Sequence, residues 1–162
     1  MGITVEQLGQ DSESHKIPLC VDLDGTLINT DLLHEAIFML LRTNIIYLFM
    51  LPVWLLKGKA NMKAEIARRV APDAKRLPFN ATMLEWLKQQ KQAGRELVLA
   101  TASHRKYAAA VADHLKLFSS VEASDNQTNL SSSTKAERLV KRFGEKGFDY
   151  VGNSRSDFKV WD

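Results

Sequence analysis

Apolar and polar positions along this chain switch period repeatedly, and each switch predicts an element. Pro18–Val21 is a short apolar run that follows a mostly polar start and stops at Asp22, which suits a buried strand. Glu96–Ala100, Val121–Ala123 and Phe148–Val151 read as three further strands. Helical spacing lies between them. From Asn80, a candidate N-cap, to about Gln92, Met83, Leu84 and Leu87 share one face, with Gly94 just beyond. Over His104–Lys116, Tyr107, Ala108, Val111 and Leu115 recur at helical intervals. Thr134-Lys135-Ala136-Glu137 matches a capping box and predicts a helix to about Phe143, with Gly144 after it.

One segment departs from this rhythm. Asn29 or Thr30 is placed to cap a helix, and Asp31 and Glu35 suit its positive end. From Ile37 to Leu56 the chain is then apolar almost throughout, up to Lys57-Gly58-Lys59. A second helical segment covers Met62–Val70, and Pro72 and Pro78 punctuate a connector. The whole pattern predicts an α/β fold: a Rossmann-like, three-layer parallel sheet with an inserted helical cap. The expected division is a mobile tail at 1–16, a core of 17–30 with 81–162, and a cap at 31–80. No internal repeat or long low-complexity stretch is present.

Composition narrows the class. The 162 residues are 45% hydrophobic and 25% charged, ample for one packed core. The net charge of +3 is mildly basic, and no basic stripe interleaves with aromatics, so nucleic acid is not an expected partner. The single cysteine, Cys20, builds no disulfide framework and reads as a small buried side chain in a reducing compartment. The first sixteen residues lack the long apolar stretch of a secretory signal.

The candidate chemistry falls at predicted strand ends, where ligands gather in open parallel sheets. Asp22-Leu23-Asp24-Gly25-Thr26 places two carboxylates one residue apart. Asp22 suits a nucleophile that forms an aspartyl phosphate, and Asp24 an acid that protonates the leaving alcohol and later activates water. The Asp24 main-chain carbonyl can also face a metal, and Gly25 permits a sharp turn. A calcium loop fails on spacing, because Gly and Glu would be required at Leu27 and Leu33. The Thr101 hydroxyl and the neighbouring backbone N–H groups, that of Ala102 included, suit phosphate oxygens. Ser103 would assist or cap the next helix. Lys135, in a first turn where the helix dipole gives a cation nothing, suits neutralising a phosphoryl group. Asn153 and Asp157 offer oxygens four positions apart, and with Asp22 they outline a magnesium site.

In this order these residues resemble the haloacid dehalogenase-like (HAD) superfamily, phosphoserine-phosphatase-like members in particular. The resemblance spans Pro18 to Asp162. It implies phosphomonoester hydrolysis through phospho-Asp22, with Asp24 as acid/base and Thr101 and Lys135 around the phosphate. It also implies Mg2+ dependence, with Asn153 and Asp157 at the metal. The final motif often carries Asp where this chain has Asn153, and an amide binds magnesium more weakly than a carboxylate.

The sequence is also similar to the HAD domain that precedes UbiA-type prenyltransferases in some bacterial fusion proteins. Its Gly152-Asn153-Ser154 and apolar cap carry that likeness, which implies a lipid-linked phosphate such as a polyprenyl phosphoribose. About twenty apolar residues can cross a bilayer, but Arg42, Asn44 and Pro52 interrupt the run, so a cap that is soluble or lies on a membrane surface is expected. The expected substrate is thus a phosphorylated small molecule or lipid-linked phosphate. The expected location is the cytoplasm or the inner face of a membrane. Competing readings are a phosphotransferase, a receiver domain, and a catalytically weak regulatory or membrane-associated module of a longer fusion.

Overall fold

A computed structural model describes residues 17–130 and 132–152, with the backbone alone at Ser132. The expected tail (1–16), Asn153 and Asp157 lie outside the described residues. Among the described residues four strands, β1 (Leu19–Val21), β2 (Leu97–His104), β3 (Ser120–Ser124) and β4 (Asp149–Val151), form one parallel sheet in the order β3-β2-β1-β4. Six helices accompany it among the described residues: α1 (Leu32–Thr43), α2 (Tyr47–Leu56), α3 (Lys59–Arg69), α4 (Ala81–Gln92), α5 (Arg105–Leu115) and α6 (Ser132–Phe143).

The strand residues alternate between the two faces of the sheet. Leu19, Val21, Leu97 and Leu99 pack with Leu87 of α4 and Tyr107, Ala108 and Val111 of α5. Cys20, Val98 and Ala100 pack on the other face with Leu139 and Phe143 of α6. Helices therefore cover both faces, giving the three layers expected from the alternating pattern. The chain leaves β1, builds β2 and β3 on one side, then returns to place β4 on the other. The carboxyl ends of β1 and β4 thus lie at the point where strand order reverses, where ligands bind in such sheets.

Helices α1 to α3 and a short 3-10 turn at Ala74–Arg76 are inserted between β1 and α4. The insertion's two ends meet. Ile28 bridges Phe79 in antiparallel fashion, Asn29 N–H donates to the Pro78 carbonyl at 2.8 Å, and Asn80 N–H to the Leu27 carbonyl at 2.9 Å. Leu32, Ala36 and Leu40 of α1 and Ile66 and Ala67 of α3 join the main core.

Several boundaries differ from expectation. The N-cap of α1 is Asp31, whose carboxylate accepts from Leu33 and His34 N–H, and not Asn29 or Thr30. The break expected at Asn44 is present: the apolar run is two helices, because the Asn44 side chain accepts from Ile46 N–H and turns the chain. Gly58, at φ +104°, makes the next turn, and α3 starts at Lys59, earlier than the expected Met62. Helix α6 starts at Ser132, so Thr134 lies inside it and is not its cap. Strand β2 continues past Ala100 to His104, with its pairing to β3 shifting register after Thr101.

Candidate active site

Asp22 follows β1 directly, and its N–H donates to the Val151 carbonyl at 2.9 Å, holding it beside the end of β4. Gly25, at φ +75°, then turns the chain back, its N–H donating to the Thr30 carbonyl. This turn sends Asp24 toward β2, while Leu23 and Leu27 anchor the loop in the core.

Asp22 and Lys135 meet. The Lys135 ammonium, only 3% exposed, donates to Asp22 Oδ1 at 2.9 Å and to the Tyr150 hydroxyl at 2.8 Å. The Tyr150 ring also lies 5.3 Å from the ammonium, within cation–π reach. A buried ion pair of this kind incurs a desolvation cost that its attraction only partly offsets, and the tyrosine supplies a further partner.

Asp24 is held by three donors. Leu32 N–H, at the start of α1, reaches Oδ1 at 2.8 Å. The Thr101 hydroxyl reaches Oδ2 at 3.1 Å and the Ser103 hydroxyl reaches it at 2.8 Å. Burial nevertheless pushes the Asp24 carboxyl above the usual aspartate range, against those hydrogen bonds. A carboxyl in that condition keeps a proton to higher pH, as a general acid requires. Ser103 N–H donates to Thr101 Oγ1, so the threonine hydroxyl is both oriented and committed to Asp24.

The structure therefore brings Asp22, Asp24, Thr101 and Lys135 together from β1, β2 and α6. Ala102 is present at the same edge, and its carbonyl accepts from Ser124 Oγ at 2.6 Å and from Lys63 Nζ at 2.6 Å. Ser103 does not cap α5. His104 does, its side chain accepting from Lys106 N–H. Ser103, expected to assist at phosphate or cap a helix, instead holds Asp24, and two residues of the site were missed by sequence reasoning: Tyr150 as a partner of Lys135, and Lys63. Lys63 lies on α3, and its ammonium also donates to Asn129 Oδ1 at 2.7 Å. Burial pulls its pKa below the ordinary lysine range. With Leu33, Ser103, His104 and Tyr107 it lines a small pocket beside Asp24. No periodicity or motif marked it.

A magnesium ion takes hard oxygen donors. The Asp22 carboxylate and Asp24 carbonyl are of that type, and the β4 end beside Asp22 leads directly into the segment that holds Asn153. The donor chemistry fits. Among the described residues there is no cluster of three or more His, Cys, Asp or Glu side chains that would bind a metal unaided.

A haloacid dehalogenase-like hydrolase family model matches residues 19–161. Uncharacterised protein y4nM of Sinorhizobium fredii is 35% identical over 96% of this chain, which spans only 30% of that protein's length. A HAD family hydrolase from Salmonella enterica serovar Typhi superposes with a TM-score of 0.63 at 13% identity, covering 98% of this chain and 68% of its own. A substrate-bound phosphoserine phosphatase does so at 0.60 and 14% identity, covering 90% of this chain and 81% of its own. At those identities the solved structures show the fold. With the family model spanning nearly the whole chain, this protein belongs to the haloacid dehalogenase-like hydrolase family.

Proposed function

We propose that this chain is a magnesium-dependent phosphomonoester hydrolase that works through an aspartyl phosphate on Asp22. The observation that carries the reading is the pairing of Asp22 with Lys135 beside a second carboxyl, Asp24, whose proton is held by burial. An Asp22 oxygen attacks phosphorus, and the ester P–O bond breaks as the leaving oxygen takes the Asp24 proton. Asp24, now a carboxylate, removes a proton from water. The water oxygen displaces Asp22 from phosphorus, releasing inorganic phosphate and restoring both residues. Lys135 and the Thr101 and Ala102 region bind the phosphoryl oxygens. For Thr101 this requires its hydroxyl to exchange Asp24 for substrate. Asp22, the Asp24 carbonyl, Asn153 and Asp157 would hold the ion, which would screen the repulsion between carboxylate and phosphate.

The test is phosphate release with Mg2+ from a panel of monoesters, for the native protein and Asp22→Asn. Turnover lost in the variant supports the mechanism, and equal turnover in both overturns it. Labelled phosphate recovered on an alcohol instead of in solution identifies a phosphotransferase.

A second reading concerns the substrate. The insertion, which we take as a cap over the site, turns apolar side chains outward, and this favours an apolar or lipid-linked phosphate met at a membrane face. An association with a prenyltransferase fits the same reading, since the S. fredii relative has ample length outside the matched region to carry another domain. Turnover of a polyprenyl-linked phosphate in detergent, far above that of its water-soluble headgroup, is the outcome that would support it.

A further inference from the structure

The insertion needs only one stripe of α2 to pack. Tyr47 and Leu51 lie against the core and Trp54 is buried, at helical spacing. On an ordinary surface helix the remaining positions would be polar. Here they are Leu48, Phe49, Met50, Pro52, Val53, Leu55 and Leu56, with Phe49 74% and Leu56 88% exposed. Ile45 and Ile46 of the preceding turn are exposed as well, as is Phe38 of α1. A patch of this kind marks an interaction site.

Charge selects its partner. From Ala36 to Ala64 the chain has no acidic residue, yet it carries Arg42, Lys57, Lys59 and Lys63. Lys57 and Lys59 are exposed at the C-terminal end of α2, and neither is in an ion pair among the described residues; Arg42, at the end of α1, shares a surface pocket with Glu35 and Asp73. A second copy of this face would set like charges against like. An anionic lipid surface complements it. At ten residues α2 is about 15 Å long, half of the roughly 30 Å hydrocarbon core of a bilayer. Among the described residues no helix is long and apolar enough to cross a membrane.

We infer that the outer faces of α1 and α2 form a docking surface for anionic lipid bilayers. The α2 side chains enter the headgroup boundary while Lys57 and Lys59 contact lipid phosphates. This partner is read from the insertion and does not depend on turnover.

The test is co-flotation of this chain, native and Asp22→Asn alike, with phosphatidylcholine vesicles that contain or lack phosphatidylglycerol. Binding is expected to rise about tenfold with the anionic lipid and to fall in high salt. The double variant Phe49→Glu/Leu56→Glu should lose flotation, with its circular dichroism and Tm unchanged because both positions are exposed. Lys57→Gln/Lys59→Gln should lose the preference for anionic lipid. No flotation with anionic vesicles overturns the inference, as does flotation that the double glutamate variant leaves intact. A dimer in sedimentation velocity that the glutamates abolish, without vesicle binding, overturns it in favour of a second copy. Loss of phosphatase activity with flotation retained bears on the catalytic reading alone.

Discussion

The ammonium of Lys63 lies 2.6 Å from the Ala102 carbonyl, so an inserted helix grips the core strand that carries Thr101 and Ser103. The same nitrogen reaches Asn129, on the loop before α6, and thus ties three segments at the mouth of the site. Lys63→Met removes two charge-assisted hydrogen bonds, each worth about 1.5 kcal/mol at this partly buried position. We expect faster proteolysis within the insertion and a KM raised severalfold with kcat changed less. Unchanged proteolysis and KM would show that the contact does not hold the insertion in place.

Lys135→Met leaves the Asp22 carboxylate buried without its cation. Breaking such a pair costs about 3 kcal/mol, and turnover should fall at least ~100-fold because positive charge at the phosphoryl group is lost. In the double variant Asp22→Asn/Lys135→Met most of the stability should return, since neither charge remains. Denaturant unfolding of the four proteins gives the coupling.

Asp24→Asn should abolish turnover and raise stability. Burial lifts the Asp24 pKa in the folded state above its unfolded value. The folded protein therefore holds the proton longer, and stability falls as pH rises from the unfolded pKa through the folded one. The gain from asparagine should be full above the folded pKa and vanish below the unfolded one. Thermal unfolding of both proteins across acid and neutral pH checks the sign. In the native enzyme the alkaline limb of kcat/KM should lie above the ordinary carboxylate range.

Cys20 is fully buried in β1, and burial pushes its thiol pKa up to about 12. It should resist thiol reagents in the native state and react only through opening of the sheet. Its labelling rate then reports the opening free energy and should rise with denaturant. Rapid labelling in buffer alone would contradict the packing of α6 over that face.

Much of this was legible because it is local. Strand periodicity in Leu97–Ala100, the Asn80 cap and Gly25 after the acid pair each act within a few residues. Lys135 was found by its place in an ordered set, and its contact with Asp22 spans 113 positions. What escaped was either ambiguous or distant. Asn44 interrupts the apolar run in the sequence, but the side-chain bond to Ile46 N–H by which it turns the chain is not legible in hydropathy, and α6 starts at Ser132, ahead of the Thr134 capping box. Ser103 reaches Asp24 across 79 positions, and Tyr150 reads as one more strand residue until Lys135 is beside it. Asn153 and Asp157 lie outside the described residues, so their part in the site stays with the proposal.

The bridge between Ile28 and Phe79 has an evolutionary corollary. Because entry and exit of the inserted helices are stitched side by side, the loop-closure entropy of whatever lies between them grows only slowly with its length. Successive lineages can lengthen, shorten or re-clothe that excursion while the acid pair stays seated on its strand.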